Sequence, residues 1–243
     1  MLKKLFSVLL SLFFASSVSP GLAADGADAA AVFSESSVKT AGSGFEVSGT
    51  DLIITSPGTY VLSGECSDGS VTVKKGTSGV TVILSGLNLK SEDGAPMTFN
   101  KSTAVTLSAK EGTSNFLSDT EKNNSDSYPD NESAENAVIK CKDGSNTVIT
   151  GTGKITVTAN GKNGIKAGES TEEDGEASLT LSDVTLDINA GVNDAINSEC
   201  DLLVKSGTLL ITAGDDAIHS DGTLTVGEKN GSGPKIDISS CYE

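Results

Sequence analysis

Arginine and tryptophan are missing from this chain altogether, and aromatic residues make up only 4% of it. Lysine is therefore the only strong cation, and the widest platform for stacking on a flat ligand is absent. Histidine occurs once, at His219, with no serine or cysteine nucleophile motif to pair with it. No phosphate-cradling glycine loop, HExxH zinc motif or nucleophile elbow occurs, and no CxxC pair is present. After residue 24 no apolar run reaches the roughly 18–20 residues that a membrane-spanning helix needs. Pro-rich or Gly/Ser linkers are absent as well, so nothing divides the chain into separate units.

The first residues supply the only long apolar stretch. "MLKK" is basic, "LFSVLLSLFFASSV" is apolar, and "SPGLAA" offers small residues for cleavage. That order predicts a signal peptide over 1–24 and a secreted chain, extracellular or at the cell surface. Without Lys3 and Lys4 the formal charge falls from −16 to −18. Such a surface repels nucleic acid and anionic membranes and attracts cations. Residues 25–43 hold few large apolar side chains and read as a flexible lead-in to a single domain over 44–243. Export permits disulfides, but Cys66, Cys141, Cys200 and Cys241 allow three pairings and their spacing selects none. The expectation is small buried residues, with at most one bridge.

From residue 44 onward the chain is short β-rich runs separated by Gly, Asn, Asp and Ser: "DLIIT", "VTVIL", "KITVT", "SLTL", "TLLIT". A turn recurs before an isoleucine, at Ile139, Ile165, Ile196 and Ile218, spaced by 26, 31 and 22 residues. The long interval carries "GESTEEDGE" (168–176), an inserted loop. Within each unit three runs alternate apolar and polar residues, as in "AIN", "DLLV" and "TLLIT". Three short strands per unit predict a right-handed parallel β-helix, an all-β solenoid whose coils stack about 4.8 Å apart. An antiparallel β-sandwich is the alternative, but it gives no reason for the recurring turn. Residues 111–136 break the rhythm and are expected to loop out as an acidic insertion.

Stacked units bring the recurring turns together. Asn163, Asn193, Asp194, Asp215 and Asp216 would then form one column of oxygen-bearing side chains. Like charges so close need a cation, a proton or wide exposure. Calcium, which takes 6–8 oxygens, is the expected occupant of the column. Asn and Asp are also ordinary turn formers. His219 reads as a solvent-facing strand residue.

The stretches "NAVIKCKDGSNTVITGTGKITVTANGKNGIKAGE" and "NDAINSECDLLVKSGTLLITAGDDAIHSDGTLTV", with the closing "IDISSCYE", resemble a bacterial carbohydrate-binding β-helix family similar to polysaccharide lyases. The resemblance spans roughly 45–243. It implies a secreted calcium-binding protein that binds plant cell-wall polysaccharide, either cellulose or an acidic sugar chain such as polygalacturonate, without catalytic residues. The family pattern runs on past "SCYE", so the chain reads as truncated. A calcium-dependent lyase is the alternative function, and an inert surface or adhesin solenoid a third. For the lyase, Lys162, Lys166 and Lys205 are the basic residues near the repeats, and nothing in the sequence marks one as a base.

Overall fold

The computed structural model describes residues 26–229 and 231–242. The signal-peptide reading of 1–24 lies outside these residues. Alternating sequence becomes alternating burial throughout. Lys154–Ala159, for instance, buries Ile155, Val157 and Ala159 and turns Lys154, Thr156 and Thr158 outward.

The first strands are β1 (Ala29–Ser34), β2 (Ser37–Ala41), β3 (Phe45–Ser48), β4 (Asp51–Ile54), β5 (Gly58–Cys66), β6 (Ser70–Val73) and β7 (Ser78–Lys90). Next come β8 (Met97–Phe99), β9 (Ala104–Ala109), β10 (Ser114–Ser118), β11 (Ala137–Cys141), β12 (Asn146–Thr150) and β13 (Lys154–Ala159). The last are β14 (Asn163–Ala167), β15 (Ser178–Leu181), β16 (Thr185–Ala190), β17 (Ile196–Ser198), β18 (Asp201–Val204), β19 (Thr208–Ala213), β20 (Ile218–Ser220), β21 (Leu224–Val226) and β22 (Lys235–Ser240).

These strands build two hydrogen-bonded sheets, of 14 and 8 strands, and this corrects the expected right-handed parallel β-helix with three strands per coil. Two findings overturn it. The 13-residue strand β7 pairs through its first half with β9 and through its second half with β10, so two runs read as separate faces are one sheet. In addition, β1–β2 and β3–β4 are antiparallel. Elsewhere in the two sheets each strand pairs in parallel with its equivalent one unit on, as β11 does with β14 and β14 with β17. The joint at β7 has a local cause. Asn115 is fully buried, and its side-chain oxygen accepts from the Gly86 and Leu87 amides, both at 2.9 Å. The chain thus bends there without ending the strand, whereas the next unit breaks between β12 and β13 at Gly151. That glycine sits at φ 99°, where an added Cβ would lie 2.3 Å from the Ala109 carbonyl oxygen.

The isoleucine ladder forms in the 8-stranded sheet. Leu52, Val71, Met97, Ile139, Ile165, Ile196 and Ile218 fall in one continuous register. The first six are fully buried, and Ile218 on the last rung is half-buried. Each buried rung contributes roughly 1.5–3 kcal/mol, and only stacking closes it off from water. Facing it, Leu89, Leu117, Val157, Ile188, Ile211 and Ile238 run through the 14-stranded sheet. The 25–43 lead-in expected to be flexible instead supplies β1 and β2 from residue 29 on, with Ala29, Ala30, Ala31 and Phe33 buried.

The insertion expected over 111–136 is corrected in part, because Ser114–Ser118 is strand β10. The remainder, 119–136, is tied down by a buried polar knot. Asp119 accepts from the Asn160 and Gly161 amides and from Asn123. Asn123 in turn accepts from the Glu135 and Asn136 amides and donates to the Ala137 carbonyl. Burial raises the Asp119 pKa above the usual carboxylate range, against the pull of those donors. The 168–176 loop folds back through Asp174, which Lys75 and Lys101 hold at 2.9 and 3.1 Å. All four cysteines are free, three of them buried, and burial pushes Cys141 up to about 12. Among the described residues no helix is long and apolar enough to cross a membrane.

Candidate functional site

The residue after each ladder isoleucine must point outward, because side chains alternate along a strand. This places Lys140, Lys166, Asn197 and His219 in one outward row on the 8-stranded sheet. The row continues to Thr98 and Thr72 on β8 and β6. Six adjacent rungs, each about 4.8 Å from the next, therefore carry hydrogen-bonding or cationic side chains.

The two lysines stack although their charges repel. Lys166 is neutralised by Glu199 at 2.8 Å, and Lys142 nearby by Glu135 at 2.6 Å. Lys140 stands between these pairs, half-buried, with no ion-pair partner of its own among the described residues. Burial, and then the neighbouring Lys166, push its pKa below the ordinary lysine range.

Beside Lys140 the row enters a cavity of about 400 Å³. Its floor is the outward side of β4, β6 and β8 at Asp51, Ser70, Thr72 and Thr98. One wall is the 91–95 turn and the other is Ser133 and Glu135 from the knotted 119–136 loop. The turn and loop touch closely: a Cβ on Gly94 would meet the Ser133 carbonyl oxygen at 2.7 Å. The segment that breaks the sequence rhythm thus closes the cavity.

The five residues expected to hold calcium are brought to one corner, but as a hydrogen-bonded ladder. Asn163, Asp194 and Asp216 each lie two residues before their ladder isoleucine, one residue out of the alignment that the bare turns indicate for Asn163. Asn193 donates to the Asn163 side-chain oxygen at 2.7 Å, and Asn163 donates to the Asn136 carbonyl. Asp194 is buried, and both its oxygens are engaged, one by Asn197 at 2.5 Å and one by the Asp216 amide at 3.2 Å. Asp216 faces His219 at 3.2 Å, and Asp221 lies 3.1 Å from the other ring nitrogen. The hydrogen bond to Asp221 foremost, with Asp216 adding to it, raises the His219 pKa. Asp215 points its exposed side chain to solvent. Among the described residues no group of three or more His, Cys, Asp or Glu side chains is placed to hold a metal ion. As arranged, the side-chain oxygens of Asn163 and Asp194 accept hydrogen bonds within the column, while Asp215 stays open to solvent.

Of the lysines singled out from sequence, Lys166 lies in the outward row. Lys162 pairs with Asp126 at 2.5 Å, close enough to the row for Lys166 to act on Asp126 too, and Lys205 pairs with Glu228 at 3.1 Å. Sequence reasoning missed Lys140, Thr98 and Glu135. The available signal was the position after each ladder isoleucine.

No curated protein matches the chain. Among solved structures it is similar to the polysaccharide lyase-like protein from C. thermocellum, solved as a gadolinium derivative, at 21% identity and a TM-score of 0.49. That similarity covers 88% of this chain and 97% of that one. A family model described as carbohydrate-binding domain-containing protein matches residues 48–231, well over half the chain, and the chain therefore belongs to that carbohydrate-binding domain family.

Proposed function

We propose that this is a secreted protein that binds an acidic polysaccharide along the outward face of its 8-stranded sheet and does not cleave it. The observation that carries this reading is the in-register row Thr72–Thr98–Lys140–Lys166–Asn197–His219, with an unpaired ammonium at its centre. A binder without tryptophan must recognise sugar through hydrogen bonds and charge, and this row offers both. A half-buried lysine without a partner gains a counter-ion when a sugar carboxylate arrives. At a formal charge of −16 the rest of the protein repels a polyuronate, with a reach of about 8 Å at physiological salt. The lysine row supplies local attraction inside that range, so binding needs no bridging calcium. Retention on immobilised polygalacturonate should persist in chelator and disappear in the Lys140→Met/Lys166→Met double variant. A folded double variant that is still retained would refute the reading.

The half-buried place of Lys140 beside Lys166, which lowers its pKa, favours one second reading, a lyase. Neutral Lys140 would take the C5 proton of a uronate, the electrons of the broken C5–H bond would form the C4–C5 double bond, and the C4–O bond would break, its oxygen taking a proton from solvent. Appearance of the ultraviolet absorbance of that double bond would favour this reading over the binder.

A further inference from the structure

We infer that the cavity beside the lysines is a subsite for an uncharged sugar residue, so that the ligand is a heteropolysaccharide carrying a neutral sugar next to a uronate. This rests on the binding reading above and names the sugar that the adjoining site takes. At about 400 Å³ the cavity lies within the ordinary range for small-ligand sites, at its lower end.

Its chemistry differs from that of the row it joins. Asp51, Asp68, Asp93 and Glu135 line it, and no lysine does. Each carboxylate is held in place from one side. Asp51 accepts from Ser70 at 2.7 Å, Asp68 from the Glu92 amide at 3.0 Å, Asp93 from Lys122 at 3.1 Å and Glu135 from Lys142 at 2.6 Å. These bonds fix the acids and leave acceptor oxygens open. Fixed acceptors suit the hydroxyl donors of a neutral sugar and repel a sugar carboxylate.

Thr98 is the independent observation. It is 6% exposed and lines the cavity, with no hydrogen bond to its hydroxyl among the described residues, and that hydroxyl still reaches the cavity space. A hydroxyl left free at the floor of a cavity can donate to and accept from a sugar hydroxyl that sits there. A metal is the other occupant that acids attract, but no three of these acids converge as ligands. One rung further along the same row stands Lys140. A chain lying along the sheet would thus place a neutral residue in the cavity and its neighbour's carboxylate on the lysines.

Calorimetry with three short probes tests this: a hexuronate linked to a neutral hexose, the matching diuronate and the neutral disaccharide. The mixed probe should bind at least tenfold tighter than either of the others. Thr98→Val, which keeps shape and removes the hydroxyl, should cancel that preference while its melting temperature stays near wild type. Lys166→Met should weaken both acidic probes alike and keep the mixed probe ahead of the diuronate. Equal binding of diuronate and mixed probe, or a mixed-probe preference that survives both Thr98→Val and Asp51→Asn, would overturn the cavity assignment alone. If neither acidic probe binds, the lysine reading and this inference fall together.

Discussion

The two sheets of this protein share one core, and one outward row of each differs sharply in chemistry. On the 14-stranded sheet the outward row through β9, β12, β15, β18 and β21 is Thr106, Val148, Thr180, Leu203 and Thr225, all uncharged. The corresponding row of the 8-stranded sheet carries two lysines and a histidine, and it runs into an acid-lined cavity. Strand geometry treats both rows alike, and a threonine–valine row is what stable strands favour. Stacked lysines are what stability disfavours. Stability alone does not explain the lysine row, and that row lies on the face proposed here to bind glycan.

The comparison breaks completely if the shared core is lost. Ile196→Asp buries a charge without a partner in the middle of the ladder and should cost more than about 4 kcal/mol, abolishing the cooperative thermal transition. Circular dichroism melting that stays near wild type would contradict the ladder.

A smaller change separates the two faces. Asn123→Ala leaves the Glu135 and Asn136 amides without their acceptor and should destabilise the 119–136 loop by roughly 1–3 kcal/mol. Hydrogen exchange should rise across that loop while β15 and β18 stay protected, and glycan affinity should fall. Equal deprotection of both sheets would mean that the loop is structural support and not a wall of the site.

Lys140→Met sharpens the contrast, because stability and binding should move in opposite directions. A lysine whose folded pKa is depressed costs stability while it is protonated, and the cost fades as pH rises from the folded pKa toward the unfolded one. The variant should therefore melt higher at neutral pH, by about 2–4 °C per kcal/mol relieved, and its advantage should shrink in alkali. Its polyuronate binding should weaken. A variant that melts lower would show that Lys140 is satisfied as it stands.

The smallest effect belongs to His219. Its raised pKa means that the stability it contributes is fully present below the ordinary histidine pKa and is lost as pH rises through the raised value. The group is partly exposed, so the amount is below about 1 kcal/mol after screening. His219→Gln should flatten the pH dependence of melting in that window, and an unchanged profile would remove the Asp216 and Asp221 contacts from the account.

Much of this was legible in the chain. The strands, the inward isoleucines and the outward His219 follow from period-two alternation around a recurring turn. The union of two faces at β7 was not, because it depends on a buried Asn115 supplied by a strand 28 residues away. The Asp119–Asn123 knot was equally hidden, since polar residues in a polar segment look like solvent-facing loop until their partners are known. Lys140 shows the limit most clearly. Its outward direction could be read from its place after Ile139, but its lack of a counter-ion depends on Glu135 and Glu199 having paired with other lysines. The hydrogen bonds that the Asn163 and Asp194 oxygens accept at the recurring turn were hidden as well, because their donors come from other residues of the folded chain.

The central claim is that glycan lies on the outward face of the 8-stranded sheet. Amide chemical-shift mapping during titration with an acidic oligosaccharide tests it directly. Shifts should concentrate at Thr72, Thr98, Lys140, Lys166 and Asn197, with the amides of Thr106, Thr180 and Leu203 unmoved. Shifts confined to the Thr106–Thr180–Leu203 row, or to the Asp215–Asp216 turn on addition of calcium alone, would contradict it.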